Sequence, residues 1–529
     1  MTPLPSRAAG LALAALAMSV GWGVRGDYGH EAGAMIPGAL LGLAICCASG
    51  RPDWWRRAGV MGLCGALGWS FGGQMSYGRI IGYTAASSFP DVAYGYGSLF
   101  VVGGVWGGIG AGILALAVTE PRGWLGRFVR PLVALGLVWM VLDYTGATRW
   151  LAGRWPLDDT DWVAALSALV VGLIWARLSP PERSAGTLIA VLAVGWGAGY
   201  LLLTAAAGLH MTPPRSDNWA GSVGLLVALL LYLRRRDNRA ALVLSGWGVL
   251  FGGLGFVLGD FAQILGRAQW GPIGRYEALQ GLDYWKWMEQ GFGLVMGLGL
   301  AVVFLAAIAP RLAPPSEDPA DSRLDTFALF VLLVVMMWAN LSKNVRTWTR
   351  EDDLPDRVLG LDPALWLASI GALLAVGAVV AILARDRLPL TPAAPLGRAQ
   401  WLFLLVLWIP IAGALLQAAP RLARADMFFV HASFWITGAV CLLLTLWLRD
   451  EAGPEPPEAL AAADSRWRLG TGYWVSLLLV PLLVAALAYL TVASHQHELP
   501  GSHRRFAAAQ TSWCSKPATV HPAIRDRIA

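Results

Sequence analysis

The chain has 529 residues, of which 56% are hydrophobic and only 14% charged, with a formal net charge of +6. That composition excludes a soluble globular or disordered chain and points to an integral membrane protein whose first partner is the lipid bilayer. The positive balance is mostly Arg in short loops, so it reads as a topology signal and implies no nucleic-acid partner.

Apolar runs of about 18–25 residues, each long enough to cross roughly 30 Å of hydrocarbon, recur from end to end. Alternating ten-residue strand patterns are absent, so helices and not a barrel are expected. The predicted fold is an all-α polytopic membrane protein of about 15 transmembrane helices. The expected spans are 8–24, 32–50, 57–80, 96–118, 129–146, 162–178, 186–208, 218–234, 239–266, 287–309, 325–342, 363–384, 400–419, 427–448 and 472–493. Trp22 and Arg25 stand where a small-residue cleavage site would be, so the first span reads as a retained helix.

Between the first two spans lies Ser19–Gly42, SVGWGVRGDYGHEAGAMIPGALLG. Arg25, Asp27, His30 and Glu31 fall within seven residues of it. Ionisable groups beside hydrocarbon cost several kcal/mol unless they face a cavity or one another, which makes this stretch the leading site hypothesis. Its glycines allow tight turns and close approach.

Arg51, Arg56 and Arg57 follow the second span, and Arg122, Arg127 and Arg130 the fourth. Arg177 and Arg183 follow the sixth, Arg234–Arg239 the eighth, and Arg385, Arg387 and Arg398 the twelfth; Arg466 and Arg468 precede the last. All fall on one side if the N-terminus is cytoplasmic. An odd helix count then puts the C-terminus outside, and the expected location is the plasma (bacterial inner) membrane.

VGWG occurs at Val20–Gly23 and again at Val194–Gly197. A polar break, an Arg-rich turn, a helix ending GRIIG (Gly78–Gly82) or AQILG (Ala262–Gly266), and a Gly-rich helix (Gly103–Gly112 or Gln290–Gly299) follow each copy. The spacing of about six helices predicts a parallel internal repeat with a pseudo-two-fold along the membrane normal. The expected organisation is a first repeat over 1–185, a second over 186–390, three C-terminal helices over 391–493 and an extracytoplasmic tail, 494–529. Six plus six parallel helices, with basic turns RPDWWRRAG and RRRDNRAA after the second and eighth, is similar to the layout of major facilitator transporters. Asp53, Arg56, Arg57 and Gly59 stand in the first turn, but not in that family's fixed order.

The remaining unusual polar residues are expected near the outer surface. Gln74, Ser76, Tyr77 and Arg79 end helix three, and Asp260 and Gln263 end helix nine. Lys286, Glu289 and Gln290 open helix ten, with Glu289 placed to pair with Lys286 at i+3. Asn340, Lys343, Asn344 and Arg346 end helix eleven; His210, Arg215, Asp217 and Asn218 lie between helices seven and eight. Arg25, Asp27, His30 and Glu31 are expected to converge with Asp260 and Glu289 in one outward-opening cavity. The substrate-binding set is Arg25, Asp27, Gln74, Arg79, Arg215, Asp217, Asn218, Asp260, Gln263, Lys286, Glu289 and Gln290. His30 and Glu31 are the expected proton relay or acid–base pair. Arg25, Arg79 and Arg215 suit a carboxylate, phosphate or sulfate; the alternative is that they pair with Asp27, Asp217 and Glu289.

No metal or cofactor is expected, since the chain lacks HExxH and adjacent His-Glu chelates poorly. Cys46, Cys47, Cys64, Cys441 and Cys514 show neither metal spacing nor a disulfide framework. Most of the 27 tryptophans read as an interfacial belt, whereas Trp285 and Trp287 flank Lys286 and are able to stack on a sugar or cation. The leading expectation is a secondary transporter of a small polar, anionic solute, with proton coupling. One alternative is a membrane-embedded enzyme acting at the outer leaflet on a lipid-linked or glycan substrate. The other is a structural subunit of a membrane complex.

Overall fold

A computed structural model describes residues 4–506 apart from 76, 156, 158–159, 213–216, 316–321, 352–356, 358, 363–364, 366–391, 393, 423, 450–458 and 496. The described chain is nearly all helix. Its labelled helices are α1 (Leu4–Tyr28), α2 (Glu31–Ala48), α3 (Ala58–Ser70), α4 (Gly78–Thr84), α5 (Phe89–Thr119), α6 (Val129–Tyr144), α7 (Asp161–Leu178) and α8 (Arg183–Gly199). They continue with α9 (Asn218–Arg235), α10 (Arg239–Arg267), α11 (Tyr284–Ala301), α12 (Met336–Arg350), α13 (Pro395–Ala418), α14 (Ala425–Trp447) and α15 (Thr471–Ser494). Twelve helices among the described residues are long and apolar enough to cross a membrane, which supports an integral membrane protein.

Three expected spans are not among the twelve. The span 363–384 lies outside the described residues apart from residue 365. The span 218–234 forms α9, but Asn218 at one end and Arg234–Arg235 at the other trim its apolar stretch. The span 57–80 is broken, and here the expectation needs correcting. Helix α3 has only 13 residues, about 20 Å, too short to cross hydrocarbon alone. It stops because Trp106 of α5 occupies the space beside Gly72, where an added Cβ would come within 1.9 Å of the indole. Trp106 Nε1 donates to the Trp69 carbonyl at 2.6 Å, satisfying an acceptor that the helix end frees. Such a break is tolerated at membrane depth only inside protein, and it carries Tyr77 into the bundle.

Glycines set how closely the central helices meet. On α5 and α10, a Cβ at Gly107 would lie 2.2 Å from the Gly248 carbonyl oxygen, and one at Gly252 2.2 Å from that of Gly103. The two antiparallel backbones therefore touch along a seam that only glycine permits. Gly38 of α2 and Gly65 of α3 face each other in the same reciprocal way. Helix α1 packs between α2 and α11. Helices α6 and α7 lie outside this core, with Leu137, Met140, Leu166 and Ile174 exposed, as lipid-facing surfaces are.

The basic turn after α2 is used to hold helix ends. Arg57, 1% exposed, donates to the carbonyls of Ala117 and Glu120 at 3.0 and 2.8 Å, capping α5. Arg51 pairs with Asp53 at 2.7 Å and donates to the Ala309 carbonyl at 2.8 Å. Cys46, Cys47, Cys64 and Cys441 are buried free thiols; Cys514 lies outside the described residues.

Candidate functional site

The site forms where α1 ends against the start of α11. Arg25 stands in the last turn of α1 and is 3% exposed. Its Nη1 donates to Glu289 Oε1 at 3.3 Å and to the Tyr77 hydroxyl. Tyr77 donates in turn to Glu289 Oε1 at 3.1 Å. Trp22, Tyr77 and Trp106 surround the guanidinium, with ring centroids 5.5, 5.5 and 5.4 Å away, an arrangement that suits a weakly hydrated planar cation. One turn earlier on α11, Lys286 pairs with Asp27 at 2.7 Å, donates to the Gly23 carbonyl at 3.3 Å and lies 4.0 Å from Glu289 Oε2. Gly26 makes this approach possible, since a Cβ there would lie 2.4 Å from both Glu289 Oε2 and Lys286 Nζ.

Two cations and two carboxylates thus offset one another in an almost dry space. The cluster is not saturated. Arg25 Nε and Nη2, Asp27 Oδ2 and Glu289 Oε2 are buried and make no hydrogen bond among the described residues. Buried polar atoms without partners are costly, and each calls for an explanation.

The single expected cavity resolves into separate places. Asp260 does not join Glu289. Gly259 packs against the Met288 carbonyl of α11, so the next residue, turned by about 100° of helix, faces Thr84 and the Tyr96 side of α5. Asp260 is wholly buried there and neither carboxylate oxygen makes a hydrogen bond among the described residues. His30 and Glu31 also stand apart. Gly29 ends α1 with φ +96° and the chain reverses, and both side chains are exposed. Glu31 sits in the first turn of α2.

Asp217 lies in another corner, accepting from Met211 N, Trp219 Nε1 and His210 Nδ1 at 2.8, 2.9 and 2.7 Å, with Asn218 buried beside it. Gln290 flanks the cluster, its side-chain amide donating to Ser433 Oγ of α14 at 3.2 Å while its backbone carbonyl accepts from the Ser19 hydroxyl. Arg79 is half-buried on α4. Arg215 and the Gln74 side chain lie outside what the structure describes.

Sequence reasoning named Tyr77 and Lys343 only as helix-end residues and missed Trp106 and His431. Lys343 Nζ lies over Gly29, where a Cβ would come within 2.3 Å. Asn340 of the same helix donates to the Ala32 carbonyl at 3.0 Å, so the polar face of α12 covers the turn after α1. His431 of α14 is 4% exposed and within electrostatic reach of Asp27 and Lys286; a lone His in an apolar run was its only signal.

Beside the cluster is a cleft of about 350 Å³. Gly78 and Gly82 of α4, Gln263 and Arg267 of α10, Trp285 of α11 and Pro500 line it. Among the described residues, no group of three or more His, Cys, Asp or Glu is placed to hold a metal ion.

Compared with known proteins, the chain matches no family model, and neither a curated protein nor a solved structure is significantly similar to it.

Proposed function

We propose that the chain is a secondary carrier of a small polar, anionic solute, with Arg25 as the group that receives the anion. The observation that carries this reading is the unsaturated pairing of Arg25 with Glu289. Two guanidinium nitrogens and one carboxylate oxygen of that pair are buried without hydrogen bonds among the described residues. A guanidinium fork offers two parallel donors to a carboxylate or phosphate, and among the described residues only Nη1 donates here. Glu289 then acts as an internal stand-in, holding Arg25 until a solute carboxylate takes its place. Lys286 and Asp27 set the local charge so that one extra anion is balanced when Glu289 carries a proton, which makes proton coupling the natural companion.

The reading includes a cytoplasmic N-terminus, an outward mouth at His30–Glu31 and the parallel six-helix repeat. Superposing α1–α5 on α8–α11 tests the repeat. The close α1–α11 packing has no comparable counterpart between α5 and α8 among the described residues, which counts against the repeat and leaves the carrier reading to rest on the Arg25 pairing.

The enzyme reading keeps one observation in its favour. The 350 Å³ cleft lies near helix ends, whereas carriers bind near the midplane. The two separate experimentally. The purified chain, reconstituted in liposomes, is screened by thermal shift against acetate, succinate, phosphate and sulfate, and then tested for uptake of those that bind. An anion that raises the unfolding midpoint and accumulates inside, with both effects lost in Arg25→Gln, supports the carrier. Binding without accumulation favours the enzyme. No response to any anion in the wild-type chain rules out Arg25 as the receiving group.

A further inference from the structure

The cleft beside the Arg25 cluster holds a second set of unmet hydrogen-bonding groups. Gln263 is 2% exposed, lines the cleft, and its Oε1 makes no hydrogen bond among the described residues. Asp283 lines it too, while its Oδ1 accepts from the Trp285 and Lys286 amides at 3.1 and 3.4 Å and so caps α11. Arg267 supplies donors and reaches the Pro500 carbonyl across the opening. Trp285 lines the same space, with its ring stacked on Tyr77 at 5.9 Å between centroids and 22° between planes. The volume falls within the range of about 300–1,000 Å³ usual for small-molecule sites.

We propose that this cleft is a ligand site for a hydroxyl-rich ring, a glycosyl group. One cation and one carboxylate on its wall offset each other, so the wall favours an uncharged ligand over an ion. Its polar groups mix donors and acceptors, which hydroxyls match because each is both. The buried Gln263 Oε1 requires a donor from the ligand. A flat aromatic ring on one side suits the C–H face of a sugar.

The segment after α15 forms the remaining wall. Leu499 N donates to the Ala85 carbonyl at 3.1 Å and His503 N to the Gly82 carbonyl at 2.8 Å. This holds Pro500 and Gly501 over the cleft. The same chemistry is met by a free sugar or by a glycolipid headgroup reaching in from the bilayer surface. The site is independent of the anion reading at Arg25, and each stands or falls alone.

The test uses the full chain in a detergent without a sugar headgroup. Glucose or maltose is added up to the millimolar range, and in parallel the chain is placed in nanodiscs with and without a monoglucosyl diacylglycerol. The readout is the unfolding midpoint, which a ligand binding the folded chain raises with concentration. The wild-type midpoint should rise with sugar, with glycolipid or with both; a rise with glycolipid alone identifies the headgroup as the source. The rise should vanish in Gln263→Met and in Gly78→Leu. The second variant tests the site even if the first folds poorly, because a Cβ at Gly78 meets only the Trp285 ring, at 3.8 Å. Arg25→Gln should keep the sugar response while losing the anion response. A wild-type midpoint indifferent to both sugar and glycolipid overturns the proposal, as does a rise that survives both cleft substitutions.

Discussion

Asn238 caps the start of one unbroken helix, α10, and Asp260 stands 22 residues and about 33 Å further along it, two turns before its far end. Their surroundings differ in kind. Asn238 donates to Thr119 Oγ1 and Glu120 Oε1 at 2.8 and 3.1 Å and accepts from the Ala241 amide at 3.1 Å. Glu120 Oε2 takes Arg236 at 3.0 Å, so both of its oxygens are used. At the other end, Asp260, Asp27 and Glu289 leave four buried carboxylate oxygens without hydrogen bonds among the described residues. Both ends bury charge, but only the first satisfies its carboxylate completely. Unpaired donors occur at both ends, since Arg122 Nε and Trp124 Nε1 near the first are also buried without hydrogen bonds among the described residues. What separates the two is the carboxylate oxygens, used at the first and left over at the second, and buried acceptors of that kind call for an explanation. The Arg57 end reads as a clamp, and the Arg25 end as a site.

The largest expected effect should strike both ends alike. Gly107→Leu would push a side chain into the Gly248 backbone, 2.2 Å from where its Cβ must sit, and separate the seam that joins the two ends. We expect no folded protein by size-exclusion chromatography. A folded Gly107→Leu variant would mean that the seam does not couple them.

The clamp should fail next. Arg57→Met removes two charge-assisted hydrogen bonds to buried carbonyls, a loss of about 3–6 kcal/mol, read as a large fall in the unfolding midpoint without any ligand dependence.

The Arg25 end should behave differently when both partners change together. Glu289→Leu alone leaves a buried guanidinium uncompensated and should cost about 3–5 kcal/mol. Adding Arg25→Met should recover most of that, because an apolar pair of similar volume is often neutral or stabilising in place of a buried ion pair. The double variant should lie within about 1 kcal/mol of wild type, fold normally and lose its anion response entirely. A double variant as unstable as the sum of its singles would turn the site into a second clamp and end the contrast.

Parts of this contrast were legible in the residues themselves. Bilayer thickness forces apolar runs of known length, so the helices around Arg25, Lys286 and Glu289 could be placed before any coordinates. The charges stood out for the same reason. Which charges meet was less accessible. Glu289 and Asp260 look equivalent as lone carboxylates in apolar runs, and one step of helix rotation past Gly259 separates them. Tyr77 was hidden because 57–80 reads as one continuous span, and the break depends on a ring from Trp106, far away in sequence. His30 and Glu31 stand apart from the Arg25 cluster because sequence adjacency to Arg25 says nothing about the left-handed turn at Gly29.

Glu31 offers the smallest and finest test. Its side chain is exposed and stands in the first turn of α2, where a negative charge gains roughly 0.3–1 kcal/mol from the helix dipole. Glu31→Gln should therefore lower stability by no more than that amount. Two residues on, Gly33 packs against the Arg25 backbone carbonyl, so the start of α2 that carries Glu31 lies beside the end of α1 that carries Arg25. Removing it should ease the entry of an anion, raising apparent affinity slightly at low salt. That gain should disappear at about 1 M ionic strength, where the screening length is only about 3 Å. The response itself should persist, because Arg25, Tyr77 and Glu289 are untouched. If Glu31→Gln instead abolishes the anion response in a chain that still folds, the chemistry lies at the exposed turn, and the boundary between clamp and site has to be redrawn around His30 and Glu31.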